Sequence, residues 1–236
     1  HDFLTSVSVI EGEVGPQGMY PYLTKRLEPI ARRIFADPKV EPATHTFSHP
    51  FFWEPEKASQ REGFTAEYGM NMAIPNYPAM NLEREIIGSR DYIQRELLPA
   101  DKQVRLIFWS GEALPSAEAI GMASAAGMAN VNGAETYITR ANPSLSGLYP
   151  LLRPTSGGLQ IYAPIINENL YTNLWTGPFY GFERVLDTFE LTDSPRRLRG
   201  LNLYYHFYSG TKQASIKAMG DVYAAMQRQQ PISLWM

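Results

Sequence analysis

The chain has 236 residues, 44% hydrophobic and 19% charged, proportions that give a globular protein with a real core and exclude a disordered segment. Its 21 basic and 24 acidic side chains leave a net charge of −3 with no basic run, which argues against nucleic acid and anionic membrane surfaces as partners. Cysteine is absent, so disulfides, thiolate metal sites and cysteine nucleophiles are excluded, and any metal must be held by Asp, Glu or one of the 4 His.

Leu4–Ile10 (LTSVSVI) is rich in β-branched residues and predicts a buried strand. Gly12, Gly15, Pro16 and Gly18 mark the loop after it. From Tyr22 to Phe35, the residues Leu23, Leu27, Ile30 and Ile34 recur at helical spacing, and Asp37-Pro38 ends that helix. Val40–Thr44 is a short strand leading into His45. Phe51–Pro78 is irregular and rich in aromatics, Pro and Asn. Asn81 is the N-cap of a helix to about Leu97, with Leu82, Ile86, Ile87, Ile93 and Leu97 as its buried stripe. Val104–Trp109 is a strand, and Ser116 starts an Ala-rich helix that Gly127 stops. Met128–Val131 is a further strand, as is Leu159–Ala163 after the Ser156-Gly157-Gly158 turn. Phe179–Phe189 predicts a helix and Leu201–Phe207 (LNLYYHF) a strand. Thr211–Gln229 closes the series as a helix, with Ile216, Met219, Val222, Tyr223 and Met226 at core spacing.

Strands and helices thus alternate over the whole length, the pattern of a parallel α/β fold, either a barrel or a doubly wound sheet. No repeat, linker or composition break divides it, so 1–236 reads as a single domain. No apolar run approaches the ~18 residues of a transmembrane helix. The chain opens on His1-Asp2-Phe3 without initiator Met or signal peptide and closes on an apolar stretch, so both ends read as cuts through a larger protein.

In parallel α/β folds chemistry gathers at the C-terminal ends of strands. Three histidines fall at such predicted ends: His45 and His49 in Thr44–Pro50 (THTFSHP), and His206 in LNLYYHF. Spacing of i, i+4 puts two imidazoles on one side of a turn, close enough to share an ion. Thr46 and Ser48 can tie down the loop backbone, and Pro50 stops any helix after His49. A bare HxxxH is also what two ordinary loop residues look like. It is not the HExxH of a zinc protease, because Thr46 stands where the general-base Glu belongs.

THTFSHP resembles the second motif of NodB-type polysaccharide deacetylases. A wider match is carried by SVSVIEGEV (Ser6–Val14), GMYPYL (Gly18–Leu23), THTFSHPF (Thr44–Phe51), FWSGEALPS (Phe108–Ser116), NENLYTNLWTGPFYGF (Asn167–Phe182) and LNLYYHFY (Leu201–Tyr208), which together resemble PelA-type polysaccharide deacetylase domains. The resemblance implies a distorted (β/α) barrel and metal-dependent N-deacetylation of an amino-sugar exopolysaccharide, a biofilm polymer modified in the periplasm or outside the cell. It also implies a divalent metal, zinc first, held by His45 and His49 with an Asp, while His206 protonates the leaving amine. The family's Asp-rich first motif has no counterpart here: Asp2 lies in the lead-in to the first strand. The first strand–helix unit, with its catalytic base and third ligand, is therefore expected to precede His1, and the 236 residues alone to be inactive. A hydrolase domain elsewhere in the full protein is likewise implied.

Other strand-end residues are candidates for the substrate wall. Trp109 could stack on a sugar ring and Glu112 could bond a hydroxyl, against the alternatives of core tryptophan and solvated charge. Asn132, before Gly133, is a turn residue by composition and a substrate contact by position. In the polar-aromatic Asn167–Phe182 segment, Trp175 and Phe179 suit packing, while Asn169 and Tyr171 suit the cleft. Glu11 and Glu13 are weaker candidates for a second carboxylate, and Arg140 is either a carboxylate partner or a surface cation. Two other functions compete: a non-catalytic carbohydrate-binding domain using Asn167–Phe182, and a glycoside hydrolase barrel using two carboxylates, which leaves HxxxH unexplained.

Overall fold

The structure, a computed structural model, describes residues 3–54, 72–162, 167–173 and 177–232. Its residues fall into two compact units, one built from Asp2–Gly133 with Arg153–Ile161, the other from Ala134–Leu152 with Tyr162–Ser233.

The first unit holds a mostly parallel six-stranded sheet of order β1-β2-β3-β4-β6-β5. Strand β1 (Thr5–Val9) pairs in parallel with β2 (Val40–Thr44), which pairs with β3 (Leu106–Phe108), then β4 (Ala129–Val131), then β6 (Gly158–Ile161). Strand β5 (Leu152–Thr155) lies beyond β6 and returns to it through the Ser156-Gly157 turn, which makes the sheet mixed. The sequence reading lacks β5: its LRPT has no apolar alternation, and what fixes it is Arg153, whose guanidinium donates to Gln160 Oε1 (2.6 Å) and to the Pro115 carbonyl (2.6 Å).

The crossovers are helical. Between β1 and β2 run the short helix α1 (Glu11–Val14) and α2 (Thr24–Phe35). Before β3 comes α3 (Ser89–Tyr92), continued on each side by a π-helical turn, Arg84–Gly88 and Ile93–Leu97. As expected, Asn81 caps this helix, its Oδ1 accepting from Arg84 N (2.8 Å), and Ile86, Ile93 and Leu97 are buried on the sheet. Helix α4 (Ala117–Ala125) joins β3 to β4: Ser116 Oγ accepts from Ala119 N at its start, and Gly127, at φ +72°, turns the chain at its end. The core between sheet and helices is aliphatic, with Trp53 and Trp109 edge-to-face at its centre, their ring centroids 4.7 Å apart.

The second unit carries α5 (Val185–Leu191), entered through a 3₁₀ turn at Gly181–Arg184, and α6 (Gln213–Arg228). Its buried side chains include Ile138, Tyr171, Phe182, Val185, Phe189, Val222 and Met226. Two expectations need correction here. LNLYYHF is not a strand: Tyr204 makes only an isolated parallel bridge with Asn167, and a 3₁₀ turn begins at Phe207. The backbone N–H of His206 donates to the Glu168 carboxylate instead of a neighbouring strand (2.7 Å). On α6 the buried stripe is Ser215, Ala218, Val222 and Met226, which leaves Ile216 half exposed. Among the described residues no helix is long and apolar enough to cross a membrane.

Candidate functional site

In the first unit, the parallel register aligns Val9 with Thr44, Thr44 with Ile107 and Phe108 with Val131. The residues just past these strands, Glu11, His45, Trp109 and Asn132, therefore leave the sheet at its C-terminal edge.

The two histidines of the loop after β2 converge. His45 Nε2 and His49 Nε2 are 3.1 Å apart, and the rings meet edge to face at 4.7 Å. His45 Nδ1 lies 2.8 Å from the Phe108 carbonyl, an acceptor only, so Nδ1 carries the proton and Nε2 turns a lone pair toward His49. A proton or a cation must lie between two nitrogens this close. Tetrahedral zinc with bonds of about 2.0–2.1 Å sets its ligand nitrogens roughly 3.3–3.4 Å apart. A ring N–H given to a backbone carbonyl is also how metal-binding imidazoles are oriented. The pair thus fits two positions of a divalent metal site. Among the described residues no group of three or more His, Asp or Glu completes it.

Backbone conformation makes the convergence possible. Thr46 sits at φ +72° and His49 at φ +53°, left-handed values that a β-branched threonine avoids. Such a residue costs on the order of 1–3 kcal/mol and persists only where its surroundings over-determine it. Here they do. Thr46 N donates to Thr44 Oγ1 (3.1 Å), His49 N to Thr46 Oγ1 (3.1 Å), and Glu11 N to the Thr46 carbonyl (3.0 Å).

Beneath the loop lies Glu85, fully buried on the first π turn of the α3 helix. Its Oε2 accepts from Phe47 N and Ser48 N (2.9 Å each), and its Oε1 from Ser48 Oγ (2.5 Å). Burial pushes its pKa up, against the lowering effect of these donors. Beside it Arg84 forks onto Glu11 (2.7 and 2.5 Å) and lies 3.6 Å over the Phe47 ring. Glu11 is therefore a buried ion-pair partner rather than a loop charge, and burial still holds its pKa up. Burial also raises Glu13. Gly12 is required by close approach: a Cβ there would sit 2.4 Å from the Phe47 carbonyl oxygen. Glu85 and Arg84 are absent from the sequence reading, where they look like the polar face of an amphipathic helix. A charged residue one step from the buried stripe of that helix, beside Ile86, is the signal that was there to find.

Of the remaining strand-end candidates of this unit, Trp109 and Asn132 are buried in the structure. Trp109 is fully buried, and its Nε1 donates to Asn130 Oδ1 (3.0 Å), so its faces are taken by the core and do not stack on a sugar. Asn132 is buried at φ +91°, its side-chain amide donating to the Trp109 carbonyl (2.7 Å) and its backbone carbonyl accepting from Gln160 Nε2 (2.7 Å), which ties it into the turn. Glu112 is half-buried; its N–H donates to the Phe51 carbonyl (2.9 Å), while Ser110 Oγ donates to the Pro50 carbonyl (2.7 Å). The Trp109–Glu112 loop thus holds the exit of the histidine loop.

The second unit contains its own cluster. His206 gives both its backbone N–H and Nδ1 to Glu168 Oε1 (2.7 and 2.9 Å), and Ser209 Oγ donates to the same oxygen (3.2 Å). Glu168 is 3% exposed. The carboxylate fixes the ring with Nδ1–H inward, and Tyr208 stacks on its face at 4.8 Å. Burial, helped by the nearby Glu168 charge, pushes the Glu135 carboxyl up to about 7 despite a hydrogen bond from Asn167. Neither glutamate was singled out as a site residue in the sequence. Asn169 is half-buried, and its Oδ1 accepts from Tyr208 OH (3.2 Å), which places it beside His206 as a polar surface group. Tyr171 is not a cleft residue: it is 3% exposed, bonded to Thr188 Oγ1 (2.7 Å) and packed against Tyr137 and Phe182. Arg140 pairs with Asp187 and Glu190 on the surface. Trp175 lies outside the described residues. The chain matches no family profile, no curated protein and no solved structure.

Proposed function

We propose that the chain is a metal-dependent deacetylase of an N-acetylated amino-sugar polysaccharide, on a distorted (β/α) barrel of the NodB-like type, acting in the periplasm or outside the cell. The observation that carries this reading is the approach of His45 Nε2 to His49 Nε2, with His45 Nδ1 tied to the Phe108 carbonyl. In this reading His45 and His49 hold a divalent ion, zinc first, and the third ligand and the base come from outside the described residues. Such an ion supplies Lewis acidity toward an amide carbonyl and a bound water of lowered pKa. His206 is oriented by Glu168, and its Nε2 delivers the proton that the leaving amine needs.

A zinc titration of the chain tests the first part. His49→Ala should weaken binding by about a hundredfold or more, because a lone imidazole remains. His206→Ala should leave zinc affinity unchanged yet stop acetate release from an N-acetylated amino-sugar oligomer by the complete domain. Acetate release that survives His49→Ala refutes the reading. A second reading, a carbohydrate-binding module, is supported by the exposed rings of Tyr180, Phe207 and Tyr208, 59, 63 and 39% exposed. It predicts oligosaccharide binding without metal and without acetate release.

A further inference from the structure

Within the first unit, the loop from α1 to α2 carries two aromatic side chains on its outside. Tyr22 is 74% exposed and Tyr20 37%, and their rings meet edge to face with centroids 6.3 Å apart. Among the described residues of this unit, no other aromatic side chain is exposed. Their backbone is held in place. Gly18 N donates to the Gly15 carbonyl (3.1 Å), Met19 N to the Gly12 carbonyl (2.7 Å) and Leu23 N to the Tyr20 carbonyl (2.8 Å), while Pro21 opens a 3₁₀ turn between the two rings. A Cβ at Gly18 would lie 2.1 Å from the Gly12 carbonyl oxygen, so only glycine lets the loop close here. The same contacts lead to the histidine loop. Gly12 N donates to the Phe47 carbonyl (2.8 Å), and Met19 packs on the cluster of Phe47, Met72 and Ile74. A parallel β1–β2 pair requires α2 to run back along the sheet, so its start, beside Tyr22, lies at the C-terminal edge from which His45 and His49 emerge.

We propose that Tyr20 and Tyr22 form a stacking platform for a sugar ring next to the one that is deacetylated, so that the site takes polymer chains in preference to single sugars. The proposal rests on the deacetylase reading for what happens at the histidines. An aromatic ring held in water on a fixed loop adds little to folding, and a ligand that covers it gains apolar burial at small ordering cost. The area decides which ligand. At ~150–250 Å² per aromatic side chain, the two rings expose on the order of 200–250 Å². A specific protein interface takes about 800 Å² from each partner. Nor does the patch extend, because its neighbours Gln17, Lys25 and Arg26 are exposed polar side chains. One or two pyranose rings match what is there. The C–H face of a sugar lies on an aromatic face, while the tyrosine hydroxyls meet its hydroxyls. With 85° between the ring planes, the pair offers a face and an edge to the same sugar. The platform follows β1 and the histidines follow β2, neighbouring strands, so one chain reaches both through adjacent sugars.

The experiment is an NMR titration of the full chain, labelled at the tyrosine rings, with N-acetylglucosamine and N-acetylgalactosamine as monomers and as pentamers. At least one pentamer should shift the Tyr20 and Tyr22 signals saturably and bind about tenfold or more tighter than its monomer. Tyr22→Ala should weaken that binding by about tenfold, and Tyr22→Trp should hold it within about threefold. Both rings are exposed, so unchanged thermal unfolding should show that the variants fold. Phe207→Ala, in the second unit, should leave pentamer binding as it is. No saturable shift from either pentamer overturns the proposal. So does a monomer that binds as tightly as its pentamer, or binding that falls with Phe207→Ala and is indifferent to Tyr20→Ala and Tyr22→Ala. A zinc titration of the same samples keeps the two claims apart. Zinc binding that is intact while the tyrosine variants bind pentamer normally breaks the platform alone. Zinc binding that fails while pentamer binding still needs Tyr22 breaks the deacetylase reading and keeps the platform.

Discussion

Glu85 and Glu168 are both buried carboxylates placed against a histidine-bearing segment, one in each unit. They are used in opposite ways. Glu85 engages both oxygens, one with two backbone N–H groups and the other with a hydroxyl, and thereby sets the path of the loop that brings His45 to His49. Glu168 concentrates three donors on one oxygen and leaves the second without a partner among the described residues. A buried acceptor with all its bonds made is scaffold, because nothing is gained by changing it. A buried acceptor with half its bonds made is held at a cost, and that cost is where ligand binding or proton transfer can be expected.

The largest effect should come from breaking the first pattern. Glu85→Ala strands two N–H groups and a hydroxyl inside the first unit, and should cost about 3–5 kcal/mol of stability. Glu85→Gln should cost under about 1.5 kcal/mol, since the amide oxygen can still accept from Phe47 N and Ser48 N while the amide nitrogen donates to Ser48 Oγ. Urea denaturation of both variants measures the difference. If Glu85→Gln is as damaging as Glu85→Ala, then charge rather than satisfied geometry holds the loop, and the contrast with Glu168 collapses.

Next comes Gly12→Ala, at about 2–4 kcal/mol, because the added methyl meets the Phe47 carbonyl and neither backbone can yield freely. The histidine loop should shift with it, so zinc affinity should fall together with stability. Loss of stability with unchanged zinc affinity would show that the loop is positioned by Glu85 alone.

How far the sequence led differs between the units for the same reason. In the first, β1 to β4, both caps of the Ala-rich helix and the Asn81 cap are written locally, in periodicity and in Ser, Asn and Gly. The i, i+4 spacing of His45 and His49 allowed their approach, but the left-handed backbone at Thr46 and His49 that realises it could not be read locally. What could not be read were contacts made at long range. Glu85 meets its loop from 37 residues away, Trp109 finds Asn130 across β3 and β4, and Glu168 takes the His206 backbone from 38 residues away. That last bond is also why LNLYYHF, with every local mark of a strand, does not become one.

Glu135 gives the second unit a pH signature. Its pKa rises from an ordinary value of 4.5 to about 7, so between these values the folded state binds the proton that the unfolded state has lost. Stability should therefore fall as pH climbs from 4.5 to about 7 and change little from this source above it. At ~1.4 kcal/mol per pKa unit, discounted for partial exposure, the penalty is about 2 kcal/mol. Glu135→Gln keeps an acceptor for Asn167 and removes the charge. It should stabilise the protein by that amount at pH 8 and be neutral at pH 4, as thermal unfolding at the two pH values would show. A variant equally stabilising at both would trace the effect to packing instead of to a carboxylate whose charge is buried.

The smallest effect calibrates the others. Ser116 is half-buried and accepts one hydrogen bond, from Ala119 N, at the start of the Ala-rich helix. Its loss in Ser116→Ala removes one acceptor from the Ala119 N–H, so the cost should be ~1 kcal/mol, with no change in zinc affinity. The ratio to Glu85→Ala is what matters. Both substitutions delete an acceptor of backbone N–H groups, but Ser116→Ala strands one donor, whereas Glu85→Ala strands two together with the Ser48 hydroxyl. If Ser116→Ala costs as much as Glu85→Ala, the number of stranded groups does not set the cost. The count of bonds made at Glu85 and left unmade at Glu168 would then not tell scaffold from strain.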